Sequence, residues 1–297
     1  MNNKPKLIII LGQTASGKTG LAIKLCQKYN GEIISADSRQ IYQEMTIGTA
    51  KPNIEELKAA KHHLVDFIQP NYNFTLAEFI KLANQKIIDL HETNKLPILA
   101  GGTGLYLSAI VDNYDLPKGK IDLGLRKRLE KKSNAELVEM LTELDPQSAT
   151  TIDPNNTRRL IRALEYVIIN QKSFIANQAV KQSPYDILQL GIKIDKDILL
   201  KRINKRVDLM IEQGLVTEVK DLIAKYDKNL PSLRTIGYQE IIDHLEGKTG
   251  LEETIELIKV HTRQYAKRQM TWFKRDKNIQ WVENFSEANK LIQKWLK

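Results

Sequence analysis

The 297-residue chain is 42% hydrophobic and carries 45 Lys and Arg against 36 Asp and Glu, a formal charge of +9. That length and apolar content allow one large core plus a smaller one, which argues against disorder over most of the chain. A single cysteine, Cys26, excludes an internal disulfide framework, and no apolar run approaches the roughly 20 residues of a membrane span, so a soluble, cytoplasmic protein is expected.

The first element in chain order is an apolar run, Lys6–Leu11, that reads as a buried strand. Gly12, Gln13, Thr14, Ala15, Ser16, Gly17, Lys18 and Thr19 follow it and fit the phosphate-binding loop pattern. In such a loop the glycines let backbone N–H groups turn toward anionic oxygens, the lysine adds a point charge and the hydroxyl residue ligates Mg²⁺. Helical spacing follows over 20–28. A second apolar run over 32–36 ends at Asp37-Ser38-Arg39-Gln40; a helix is expected over 76–91, and a third strand over 96–100 ends at Gly101-Gly102-Thr103-Gly104. Strands alternating with helices predict a parallel α/β sheet, and ligands of such sheets sit at the carboxyl ends of the strands, where these three polar turns fall.

The texture changes near residue 116, where Pro117-Lys118-Gly119-Lys120 breaks the pattern. Helices are expected over 123–144 and 157–171, which together read as an inserted helical domain. The strand-like run 187–194 returns the chain to the sheet. Helical spacing then covers 197–226, a turn-containing stretch 232–238, a long basic helix 251–277, and a short strand 279–282 before a closing helix. The predicted division is a core of 1–115 and 187–297 with an insertion of 116–186.

Asp37 is the best candidate for a proton acceptor, since it ends a strand beside the phosphate loop; a helix N-cap and an outer-shell Mg²⁺ ligand are equal alternatives. The second glycine turn would let backbone approach a substrate closely, with Thr103 supplying a hydroxyl. Basic residues are clustered: Arg126, Lys127 and Arg128; Arg158, Arg159 and Arg162; Arg202, Lys205 and Arg206; and Arg263, Lys267, Arg268, Lys274 and Arg275. Such runs are usually solvated faces, yet alongside a phosphate loop they suit a nucleic-acid backbone. His62-His63 lacks the companions of a metal site and reads as structural or surface, Glu55 and Glu56 read as surface charges, and Trp272-Phe273 reads as packing for the last long helix.

Taken together, these stretches resemble the tRNA dimethylallyltransferases, also called tRNA isopentenyltransferases. The matching segments are GQTASGKT at Gly12 to Thr19, DSRQIY from Asp37, IGTAKP from Ile47, HHLVD from His62, GGTGLY from Gly101, RRLIRALE from Arg158, INKRVDLMIEQGL from Ile203, IGYQE from Ile236 and TRQYAKRQMTWF from Thr262. Gln13 departs from the proline, Asp153 from the histidine and Gln239 from the arginine common at those places.

The resemblance implies a phosphate-loop, nucleotide-kinase-like parallel sheet with helices on both faces and a helical insertion that holds tRNA. It also implies transfer of the dimethylallyl group of dimethylallyl diphosphate, with Mg²⁺ present, to N6 of the adenosine 3′ to the anticodon. On that basis the catalytic set is Asp37, Lys18, Thr19, Thr103 and Arg206, with the phosphate loop on the diphosphate and Thr19 on the metal. The positions matching tRNA-contacting motifs are Asp37, Ser38, Arg39, Gln40, Thr103, Arg126, Arg158, Arg159, Leu160, Ile161, Arg162, Arg234, Gly237 and Tyr238. The partners implied are the tRNA anticodon stem-loop and dimethylallyl diphosphate, no membrane, and a monomer, in keeping with the lack of a heptad seam. An ATP-dependent kinase of nucleotides or small molecules shares the phosphate loop but leaves the insertion's arginines and the GGTG turn unexplained. An isopentenyltransferase acting on free adenine nucleotides and a non-catalytic RNA-binding switch are the other rivals.

Overall fold

Strand β1 (Lys6–Leu11) is hydrogen-bonded on both sides and covered on both faces, which is why its sequence is a continuous apolar run rather than an alternating one. The structure, a computed structural model, describes residues 4–114, 122–175 and 182–297. The predicted break at 117–120 lies outside the described residues. In chain order, α1 (Lys18–Tyr29), β2 (Gly31–Ser35), α2 (Ile54–Ala59), β3 (His62–His63), α3 (Leu76–Glu92), β4 (Leu96–Gly101) and α4 (Gly104–Val111) follow β1. Then come α5 (Leu123–Leu129), α6 (Asn134–Leu144), α7 (Pro146–Thr151) and α8 (Thr157–Asn170). The chain closes with β5 (Asp186–Ile192), α9 (Lys196–Glu212), α10 (Leu215–Lys225), α11 (Tyr238–Leu245), α12 (Leu251–Phe273), β6 (Gln280–Val282) and α13 (Phe285–Leu296).

The strands form one parallel sheet in the order β3-β2-β4-β1-β5-β6. Leu7, Ile9 and Leu11 pack with Phe79, Ala83 and Ile87 of α3 and with Leu107 and Ile110 of α4. Ile8 and Ile10, one residue out of step, pack on the opposite face with Leu21, Ala22 and Leu25 of α1 and with Ala288 and Ile292 of α13. A third apolar cluster joins Ile41, Tyr42 and Met45 to α10, α11 and Ile258 of α12.

Compact units divide at two points: Met1–Val111 with Pro184–Lys297 make one, Asp112–Ser183 the other. The second has its own core of Leu125, Leu129, Leu137, Leu141, Leu160 and Leu164, all buried. Its buried carboxylate, Asp145, accepts hydrogen bonds from the amides of Ser148 and Phe174 and the hydroxyls of Ser148 and Ser173, tying the α6–α7 corner to the residues after α8.

Several elements differ from the sequence expectation, each for a local reason. The stretch 123–144 is two helices, because Ser133 caps α6 by accepting from Glu136 N while Glu136 reaches back to its amide. The stretch 197–226 breaks at Gly214, whose φ of 96° is left-handed. The basic helix α12 ends at Phe273 rather than 277. Helices α2 and α7 were unanticipated; Asn53 and Glu56 form a capping box for the first, and Asp145 caps the second ahead of Pro146.

Candidate active site

Beyond β1 the chain turns sharply. Ala15 (φ 60°) and Gly17 (φ 96°) are left-handed, so successive amides curl into a concave nest. The Ser16 amide is taken by the Gln13 carbonyl at 3.2 Å and the Thr14 amide by Gln269 Oε1 at 2.8 Å, which leaves those of Ala15, Gly17, Lys18 and Thr19 to meet an anion. Helix α1 has no side-chain cap at Gly17 and no acidic residue in its first turn, so its positive end stays uncompensated by the protein. The Ser16 hydroxyl is buried without a partner among the described residues.

Of the cations around the nest, Lys18 and Arg206 are half-buried and Arg202 is exposed. Lys18 Nζ donates to the Gln13 carbonyl at 2.8 Å. Burial pulls its pKa down to about 8, against the opposing pull of Asp37, and Arg206 lowers it further. Arg206, from α9, donates to Thr14 Oγ1 at 3.3 Å, and its own pKa is lowered by burial while Glu56 and Asp37 oppose the shift. Arg202 reaches the Ser16 carbonyl at 3.4 Å.

Asp37 stands just past the end of β2. Its Oδ1 accepts from the Arg39 amide at 2.8 Å and the Gln40 amide at 3.3 Å, which fixes the carboxylate and leaves Oδ2 without a partner among the described residues. No helix begins after Asp37, so the helix N-cap reading does not hold; Oδ1 instead fixes a non-helical turn over 37–40. Thr103 Oγ1 accepts from the Ser38 amide at 3.0 Å, and the Thr103 amide donates to the Ala36 carbonyl at 3.2 Å, so the turns after β2 and β4 are stitched together. Gly101 has no room for a side chain, since a Cβ there would fall on the Ala36 carbonyl. Phosphate loop, Asp37 and the Gly101–Gly102 turn line one cleft of about 220 Å³ together with Arg206, Tyr265 and Gln269. Burial and the nearby Asp37 push the Tyr265 phenol up to about 12.

Other walls of the cleft were not legible as such. Thr49, Ala50 and Pro52 line it from the loop before α2. That loop is held by Glu218 of α10, which accepts from the amides of Thr46, Ile47 and Gly48 at 2.7–3.1 Å. Gln40 donates to the carbonyls of Thr49 and Ala50. Glu56, expected to be a plain surface charge, caps α2 and lines the cleft. His62 also lines it: Nδ1 bonds the Ala60 carbonyl at 2.8 Å, Nε2 is buried without a partner among the described residues, and burial lowers its pKa. Gln40, Thr49, Ala50, Pro52 and His62 fall within the segments that carry the family resemblance, whereas Glu56 and Glu218 fall within none of them.

The expected tRNA positions divide by burial. Arg39, half-buried, donates to the Pro231 carbonyl, and exposed Arg234 bonds Asn229 Oδ1. Tyr238 does not offer a contact surface: its ring is fully buried against Gly48, and its hydroxyl donates to Glu218 at 2.7 Å. Gly237 is buried and left-handed, with its amide on Glu240. In the Asp112–Ser183 unit, Leu160 and Ile161 are core residues rather than contacts. Arg158 and Arg159 are exposed, whereas Arg126 is committed in a bidentate pair to buried Glu165 at 2.6 Å, with Arg162 at 3.7 Å. The sequence could not show this pairing, since Arg126 and Glu165 are 39 residues apart.

Fold and site together define a phosphate-loop protein of the nucleotide-kinase type, with a carboxylate facing the anion nest. The IPP transferase family model matches residues 40–276. A tRNA dimethylallyltransferase of Alkaliphilus oremlandii is 46% identical, spanning 99% of this chain and 97% of that protein, and one of Acetivibrio thermocellus is 44% identical over 97% and 95%. The crystal structure of the tRNA isopentenylpyrophosphate transferase of Bacillus halodurans superposes with a TM-score of 0.77 at 39% identity, covering 99% of this chain and 97% of that one. A eukaryotic dimethylallyltransferase acting on tRNA gives 0.84 at 30% identity, over 94% and 73%. The chain belongs to the tRNA dimethylallyltransferase family. Among the described residues no helix is long and apolar enough to cross a membrane.

Proposed function

We propose that the protein transfers the dimethylallyl group of dimethylallyl diphosphate to N6 of the adenosine 3′ to the anticodon of tRNA, as a cytoplasmic monomer. The observation that carries this reading is the shared cleft, in which the loop amides, Lys18 and Arg206 stand across from the unpartnered Oδ2 of Asp37. As the allylic C–O bond breaks, negative charge collects on the departing diphosphate; the loop amides and half-buried cations are pre-placed to stabilise it without reorganising. The adenine N6 forms the new C–N bond, and its proton passes to Asp37 Oδ2. Thr103, through Ser38, keeps that carboxylate's turn in place.

The chemistry of the donor set also fits Mg²⁺. Among the described residues no cluster of three acidic, His or Cys side chains could hold a metal by itself, and Mg²⁺ commonly takes most of its ligands from water and phosphate oxygens. Thr19 would be its protein ligand. When bound, the ion would neutralise diphosphate charge. The exposed Arg158 and Arg159, with Arg162, are proposed to meet the tRNA backbone.

The test is incubation with unmodified tRNA, dimethylallyl diphosphate and Mg²⁺, followed by mass spectrometry of the anticodon loop. One added five-carbon allyl group on an adenosine is expected with the wild type. Asp37→Ala should lower transfer by about 10³-fold while tRNA still binds. Unmodified tRNA from folded wild-type protein would defeat the reading. Equal activity on AMP without RNA would favour the free-nucleotide rival.

A further inference from the structure

A single buried side chain joins the two halves of the cleft. Gln269 projects from α12 and is 6% exposed. Its Oε1 accepts from the Thr14 amide at 2.8 Å, and its Nε2 donates to the Gly102 carbonyl at 2.9 Å. One end therefore grips the phosphate loop and the other the turn after β4. Gly102 is shaped to this contact, since a Cβ there would collide with Gln269 Nε2. One helical turn back, the Ala266 carbonyl accepts from Gln13 Nε2 at 2.9 Å, so α12 holds the loop at a second point. From Gly102 the connection continues through Thr103 to the Ser38 amide, next to Asp37.

We propose that Gln269 is a positioning residue that sets the distance between the leaving group on the phosphate loop and the attacking nitrogen beside Asp37. The inference rests on the transferase reading above. The two backbone partners of Gln269 make opposite demands, an N–H and a C=O, and a primary amide offers an acceptor and a donor on one rigid plane; the Tyr265 phenol one helical turn back is a third partner. Leucine satisfies neither backbone partner. Glutamate satisfies Thr14 but sets oxygen against oxygen at Gly102, unless it is protonated and regains a donor. Each half of the cleft has other anchors, since Lys18 and the α1 amides hold the anion side while Ser38 and Ala36 hold Thr103. Loss of the link should therefore spoil alignment more than binding. A misplacement of about 1 Å can cost a reaction on the order of 10²-fold.

The experiment compares full-length wild type, Gln269→Leu and Gln269→Glu. Readouts are kcat for allyl transfer, KM for tRNA, Kd for inorganic diphosphate and thermal midpoint. Gln269→Leu is expected to lower kcat by about tenfold or more, with KM and Kd within about threefold of wild type. Gln269→Glu should regain activity relative to wild type as pH falls, when its carboxyl can donate to Gly102. Should these variants fail to fold, Gly102→Ala reads the same link by driving the amide off the carbonyl, again with kcat falling while diphosphate binding holds. The proposal is overturned if folded variants keep wild-type kcat. It is also overturned if kcat and both affinities fall in parallel with the thermal midpoint and no pH signature separates Glu from Leu. A wild type that transfers no allyl group would instead overturn the reading of function.

Discussion

The phosphate loop and the Asp112–Ser183 unit handle positive charge in opposite ways. Beside the loop, Lys18 and Arg206 are half-buried near Asp37, which neither touches in a hydrogen bond, with Glu56 also acting on Arg206, and desolvation lowers the pKa of both cations. In the helical unit, Arg126 is paired with buried Glu165 while Arg158 and Arg159 stand in solvent. A buried cation short of a partner disfavours the empty site and rewards an arriving anion strongly. An exposed arginine costs little and contributes a weak, salt-sensitive attraction that grows with the number of contacts. One region is suited to grip a small, highly charged ligand, the other to a long polyanion.

The sharpest way to break this comparison is Lys18→Ala, which should weaken diphosphate binding by about 10²-fold and leave tRNA binding unchanged; calorimetry with each ligand measures it, and equal losses would erase the distinction. The same lysine gives a pH signature. Its free-state pKa lies near 8, below the ordinary lysine value of 10.5, and the anion favours the charged form. Affinity should be level below about pH 8 and then fall by up to about tenfold per unit as the site must take up a proton to bind. Lys18→Ala should lack that fall. The linkage for folding runs the other way: the penalty for burying the ammonium is full below about pH 8 and is relieved as pH rises toward 10.5.

A smaller effect is expected in the helical unit. Glu165→Gln removes a charge-assisted pair from a position only 1% exposed and should cost about 2 kcal/mol there. Hydrogen exchange would show faster opening of α5 and α8, which the pair joins, with the sheet unaffected; uniform destabilisation would mean that the two units do not unfold separately. The smallest effect belongs to Arg158→Ala with Arg162→Ala. tRNA binding should weaken, and the slope of log affinity against log salt should become shallower by about one to two units. An unchanged slope would move the tRNA contacts away from these residues.

Much of the fold was legible because its signals are local. The runs at β1, β2 and β4 are apolar since buried parallel strands face helices on both sides, and the loop motif marks the first βα turn. Helix breaks at Ser133 and Gly214 were missed within long periodic stretches, although capping boxes and left-handed glycines are readable once sought. The candidate cleft was legible where a motif lines it, as at Lys18, Thr19 and Asp37. It was not legible at Gln269 or Glu218, whose roles depend on backbone atoms far away in the chain. Nor could a motif tell that Tyr238, Leu160 and Ile161 are packing residues while Arg158 is exposed.

By itself, the sequence determined the sheet class, the anion loop and the family, because periodicity and short motifs are encoded by neighbours in the chain. Only the tertiary structure decided that Arg126 is neutralised by Glu165 and that one glutamine spans loop and turn. Those facts follow from burial and hydrogen-bond satisfaction between segments dozens to hundreds of residues apart, where each polar group must find a partner from whatever the fold brings near.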